Sequence, residues 1–219
     1  MATTFVHYHV ATAAGVPPLE ALRDYLLAAN GVFLRSQRAE LTVCLPIPGI
    51  AGLDQIFGLA TVDAYLHLRR PKISVDLVAA MLAQAQTARL TNGLAAEILF
   101  YVRWEADAWR LRVPEQDQQH GAVRPVGQGI ADGEGVFLEV HSHHAWSGRF
   151  SPTDDADEQG FARCYAVLGT IFTMPTIRLR VAFYGHRWEI PASWVMDLPE
   201  GLADVVVAPA WVEAVSPWA

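Results

Sequence analysis

The chain has 219 residues and a mass of 24.0 kDa, enough for one full-sized domain or one and a half and too little for two large ones. Apolar residues make up 52% against 18% charged, which excludes a disordered chain and predicts a sizeable core that folds without staples. Sixteen Lys and Arg against 23 Asp and Glu leave a net charge of −7, the wrong sign for gripping nucleic acid through its phosphates.

The N-terminus, Met1-Ala-Thr-Thr-Phe5-Val-His7-Tyr-His9, has no Lys or Arg ahead of its first apolar residues, so no secretory signal is readable there. His7 and His9 are an HxH pair on a predicted strand. No acidic helix start follows them, and they are read as structure. Leu19 to Ala29 reads as a short amphipathic helix ending at Asn30-Gly31. Gly31–Arg35 and Ala39–Pro46 read as strands, and residues 47–63 as irregular cover. A second unit is expected from about Tyr65. After the breaker Pro71 it continues with a helix over Val75–Arg89 with Ser74 at its N-cap, strands over Glu97–Trp104 and Trp109–Pro114, and a Gln- and Gly-rich loop over 115–135 with room for one short strand. A strand over Gly135–His141, a helix from about Pro152 to Leu168 closed by Gly169, and strands over Ile177–Tyr184 and Arg187–Ile190 complete it. The expected fold is a mixed α/β sheet with flanking helices. Its boundaries divide the chain into an N-terminal α/β extension at 1–64, a main domain at 65–192 and a C-terminal extension at 193–219. Cys44 and Cys164 lie too far apart in sequence for a CxxC pair, which argues against a disulfide framework or a thiolate zinc site and predicts a reducing, cytoplasmic setting. No apolar run approaches the roughly 18 residues of a spanning helix, so no membrane partner is expected.

The chemistry concentrates between Glu139 and Asp154. His141 and His143 end an alternating strand, and period two puts both imidazoles on one face. Ser151-Pro152-Thr153-Asp154 then opens a helix, with Ser151 as N-cap and Asp154 one turn inside. Taken alone, HxH is usually a polar strand face, Ser-x-x-Asp a capping box, and the acidic run from Asp154 to Glu158 a favourable partner for the helix dipole. Together they can supply two imidazoles and a carboxylate with a fourth position open, the ligand set of a catalytic zinc.

HxH, seven residues, Ser, two residues, Asp resembles the pattern of the JAMM, or MPN-plus (JAB domain), zinc metalloproteases, at His141, His143, Ser151 and Asp154. The resemblance spans about residues 65–190. Within that family, Glu139–His144, Phe150–Gly160 and Gly31–Arg35 look most like the members encoded in the bacterial PRTRC cassette, which also contains ThiF-related proteins. The resemblance implies a JAMM/cytidine-deaminase-like fold in which His141, His143 and Asp154 bind Zn²⁺, Ser151 serves the oxyanion, and an upstream Glu is the base. Glu97, directly after the helix and at the head of its strand, takes that place. Glu139, two residues before His141, is its local rival. His144 stands where many members have Pro and is either a group behind the ligands or a surface residue, with the surface preferred. His186, at a turn, is a further candidate lining residue.

The implied activity is zinc-dependent cleavage of a peptide or isopeptide bond at the tail of a ubiquitin-like modifier or its conjugate, with a ThiF-related activating enzyme as a possible partner in a bacterial cytoplasm. The rival from another class is an inactive MPN-like scaffold that binds partner proteins. Metallo-β-lactamase chemistry fails because Ala145 stands where HxHxDH needs Asp, and an amidohydrolase barrel of about 250 residues does not fit.

Overall fold

A computed structural model of the chain describes residues 5–48, 55–144, 148–151, 154–155, 158 and 162–206. It divides into two compact units, one of residues up to Pro71 with His186–Trp188, the other of Lys72–Gly185 with Glu189–Val207.

The first unit is a five-stranded sheet of β1 (Val6–Val10), β2 (Arg23–Ala28), β3 (Gly31–Gln37), β4 (Leu41–Pro46) and β5 (Tyr65–Leu68), in sequence order. The first pair is parallel and the rest antiparallel. Two expectations change here. Leu19–Ala29 is not a helix: Asp24, Leu26 and Ala28 alternate inward along β2, and Asn30-Gly31 turns a hairpin instead of ending a helix. Burial of one strand face outweighs the helix propensity of Leu and Ala. Tyr65–Leu68 pairs with β4 and therefore belongs to this unit, which contains no helix among the described residues. Leu26, Ala28, Phe33 and Cys44 form its core, with Val62 and Tyr65 packed against them.

The second unit is built on a mixed sheet in the order β13 (His186–Ile190, of which Glu189 and Ile190 fall in this unit), β12 (Thr176–Phe183), β11 (Ala162–Gly169), β10 (Leu138–Ser142), β6 (Leu99–Glu105), β7 (Ala108–Arg112). Only the β10–β11 pair on this path is parallel among those whose register is described. Helix α1 (Val75–Thr87) buries Val78, Met81 and Ala85, one stripe at helical spacing; Ser74 sits at its N-cap, but its side chain makes no capping bond. The 115–135 segment holds a small ladder of β8 (Gln116–Gln118) and β9 (Val123–Pro125), then a short helix α2 (Gln128–Asp132).

The long helix expected from Pro152 is cut short. Asp154 and Asp155 are helical, Pro152 and Thr153 lie outside the described residues, and Ala162–Gly169 is β11. Seven consecutive buried residues in β11 show why the pattern misleads: a central strand covered on both faces has no alternation to read. Cys164 is buried on this strand, not on a helix. Of the expected C-terminal extension, Val195 and Met196 are buried, Ile73 and Val195 share a backbone bond, and β14 (Ala203–Asp204) pairs with β12, so this stretch belongs to the second unit; residues from 207 lie outside the described ones.

Register fixes what each face of the sheet carries. Leu138, Val140, Cys164, Ala166, Leu179 and Val181 point to one side and are buried. The other side carries Glu139, His141, Arg163, Tyr165, Arg178 and Arg180.

Candidate metal centre

His141 sits on β10, opposite Val167 of β11 and Leu99 of β6, at the centre of the sheet. His143 lies just past the strand end, held by its backbone N–H donating to the Leu168 carbonyl (2.7 Å). The two imidazole Nε2 atoms are 3.1 Å apart, and His141 Nε2 is 3.5 Å from Asp154 Oδ1. Zinc bonds near 2.1 Å in a tetrahedron set its ligand atoms about 3.4 Å apart. The two separations from His141 match that spacing.

Asp154 is aimed by a reciprocal cap. Ser151 N–H donates to Asp154 Oδ2 (2.5 Å), and Asp154 N–H donates to Ser151 Oγ (3.2 Å). One carboxylate oxygen is thereby tied, leaving Oδ1 toward the histidines. The serine hydroxyl accepts a bond here, so its own proton is left to donate. The capping role and the site role are compatible in one pair of residues.

Glu97 precedes β6 by two residues and is buried. Its N–H donates to the Gln119 carbonyl (3.0 Å), Gln118 donates to its carbonyl (2.8 Å), and its Oε1 lies 4.0 Å from His143 Nε2. Burial first, and then the charge of Asp154, push its carboxyl up to about 8. Burial pushes His141 down to about 4 against the opposing pull of Asp154, so the imidazole is neutral at pH 7, as a metal ligand must be. Glu139 faces the same side as His141 but is bound by Arg163 (3.1 Å).

His144 is buried, contrary to the surface reading: its ring stacks on His120 (centroids 5.3 Å) and on Phe172 (6.0 Å). His120 Nδ1 donates to the Ala95 carbonyl at 2.9 Å. His186 opens β13 and groups with the first unit, its Nε2 3.1 Å from Tyr25 Oη.

Two features escaped the sequence. Arg180, buried on β12, contacts Asp155 (2.8 Å) and Glu158 (2.7 Å) and lies over the Phe150 ring (3.8 Å). The acidic run after Asp154 therefore has a cationic anchor as well as a helix dipole. The second is the early HxH. His7, His9 and Asp24 bring three ligand atoms within 4.8 Å of one another, a group able to hold a metal ion. Its acid comes from the segment expected to be helix, placed opposite His7 by the parallel β1–β2 register.

No family model matches the chain, and no curated protein matches it. Among solved structures it is similar to a JAB1/MPN domain protein from Archaeoglobus fulgidus, at 20% identity and a TM-score of 0.35, over 56% of this chain and 94% of that one. No helix among the described residues is long and apolar enough to cross a membrane.

Proposed function

We propose that the second unit is a JAMM-type zinc hydrolase that cleaves an amide bond, with His141, His143 and Asp154 as the metal ligands. The observation that carries this reading is the approach of His143 Nε2 and Asp154 Oδ1 to His141 Nε2, at 3.1 and 3.5 Å, with the buried Glu97 carboxyl beside His143. Two imidazoles and one carboxylate suit zinc, and three protein ligands leave a coordination position open.

A zinc held there supplies Lewis acidity, lowering the pKa of water toward neutrality and polarising a carbonyl. The chain's own residues do the rest. Glu97, on the His143 side, takes the proton of the attacking water and returns it to the leaving amine. The Ser151 hydroxyl, its lone pair engaged by Asp154 N–H, donates to the oxygen that gains charge. Glu139 holds Arg163 and orders the β10–β11 pair, leaving Glu97 as the base.

The sequence resemblance extends the reading to substrate: the flexible C-terminal tail of a ubiquitin-like modifier, activated by a ThiF-related enzyme of a PRTRC-like cassette. An extended tail fits recognition by strand addition. The test pairs zinc analysis with cleavage of the small proteins encoded beside the gene. We expect zinc that is lost on His141→Ala or Asp154→Asn. Glu97→Gln keeps the metal and lowers turnover by about 10²- to 10⁴-fold, whereas Glu139→Gln retains activity. A folded protein whose metal content ignores His141 and Asp154 would be the inactive scaffold. Activity surviving Glu97→Gln but not Glu139→Gln would reverse the choice of base.

A further inference from the structure

The His7, His9 and Asp24 cluster lies wholly within the first unit, in a sheet separate from the centre described above. Its geometry follows from two periodicities. His7 and His9 are two apart on β1 and share its inner face, while Tyr8 and Val10 point out and are exposed. Parallel pairing then sets Asp24 beside His7, and antiparallel pairing sets Arg35 beside Asp24.

The polar atoms of this group are incompletely satisfied. Arg35 donates from Nε (3.2 Å) and from a terminal nitrogen (2.5 Å), both to Asp24 Oδ2, and donates also to the Pro17 carbonyl (2.6 Å). Asp24 is fully buried, yet its Oδ1 has no hydrogen-bond partner among the described residues, and neither has the buried Nε2 of His9. The histidines stand close without bonding: His7 Nδ1 is 3.9 Å from Asp24 Oδ1, and His9 Nε2 is 3.8 Å from Asp24 Oδ2. A buried carboxylate oxygen left bare is costly, because it gives up its bonds to water with nothing in return. One ligand atom from each of the three residues lies within 4.8 Å of the others, wider than the roughly 3.4 Å of a zinc tetrahedron, so the group must draw inward to close on a cation.

We propose that His7, His9 and Asp24 form a second divalent-metal site, of the zinc class. Imidazole nitrogens select a borderline transition metal over Mg²⁺ or Ca²⁺. Arg35 is the outer group that orients the ligand: it occupies one oxygen of Asp24 and leaves the other to the metal, as carboxylate ligands commonly require. The site stands independently of the hydrolase reading, since it shares no residue with it.

The experiment uses the full chain carrying His141→Ala and His143→Ala, stripped with chelator and titrated with Co²⁺ while the visible d–d absorption is followed, then with Zn²⁺ in competition. One equivalent of Co²⁺ is expected per chain, displaced by Zn²⁺. His9→Gln in that background weakens Co²⁺ binding by more than about 100-fold. Asp24→Asn, which keeps an oxygen for Arg35, does the same. Circular dichroism checks that each variant folds, and His7→Gln, at a one-third exposed side chain, replaces any that does not. A double variant that takes up no Co²⁺ overturns the proposal. So does one equivalent that persists in folded His9→Gln. The hydrolase reading fails separately, when the metal of the wild type does not depend on His141.

Discussion

At the scale of single residues, Ser151 carries two duties that one substitution separates. Its Oγ caps Asp154 N–H, so Ser151→Ala costs about 1 kcal/mol of stability. Its backbone N–H still orients Asp154 Oδ2, so zinc content is expected to remain at the wild-type level. If the hydroxyl serves the oxyanion, kcat falls by about 100-fold or more, far beyond what a modest loss of stability explains. Equal small losses in both measurements would leave Ser151 as a cap alone. Cys44 makes a different point. Burial, opposed by nearby Arg35, pushes its thiol from 9.0 up to about 12. The folded chain thus keeps a proton that the unfolded chain has lost between those values. Its contribution is fully present below pH 9 and falls as pH rises, by about 1.4 kcal/mol per pH unit. Denaturant melts at stepped alkaline pH are expected to show wild type losing stability faster than Cys44→Ala. The native thiol is also expected to stay unmodified by disulfide reagents at pH 8, reacting once the chain is unfolded.

At the scale of elements, the close pass of the loop after the histidines over the end of β11 decides where Asp154 goes. A Cβ on Gly169 would lie 2.3 Å from the Gly148 nitrogen and 2.7 Å from its Cα, backbone atoms that cannot step aside as a side chain could. Gly169→Ala therefore pushes away the segment leading to Ser151 and Asp154. The expected result is a loss of about 1–3 kcal/mol in stability, with weaker zinc binding. An isothermal zinc titration that matched wild type would disprove the link. In the sequence Gly169 reads as a helix stop; in the structure it is a contact. The same contrast separates what was legible from what was not. His141, His143, Ser151 and Asp154 were legible because strand period and capping chemistry act over a few residues. The ends of α1, β3, β4 and β12 were nearly so, for the same reason. β2 and β11 were not: the first is a half-buried strand written in helix-forming residues, and the second is buried on both faces. Asp24 beside His7, Arg180 beside Glu158 and His120 beneath His144 depend on register between distant strands and loops, which no local pattern encodes.

At the scale of the whole molecule, each unit carries the same chemical device by a different route. In the first unit alternate residues of β1 supply two imidazoles; in the second they come from His141 on β10 and His143 just past its end. In one the carboxylate arrives on a capped helical turn, in the other on the adjacent parallel strand. Metal bound to the native chain and not to the unfolded one stabilises it by mass action, about 2.7 kcal/mol per site when free metal is 100 times the dissociation constant. For a chain of this size each kilocalorie moves the melting temperature by about 2–4 °C. Chelation is therefore expected to lower the melting temperature of wild type, and two substitutions divide that loss. His141→Ala removes the part belonging to the second unit, His9→Gln the part belonging to the first, and the two together make the chain indifferent to chelator. Calorimetry of the four proteins with and without Zn²⁺ measures this directly. Because the two proposed metal sites share no residue, the two effects are expected to add within a few tenths of a kilocalorie per mole. A chelator response that His141→Ala abolishes by itself would confine metal binding to the second unit.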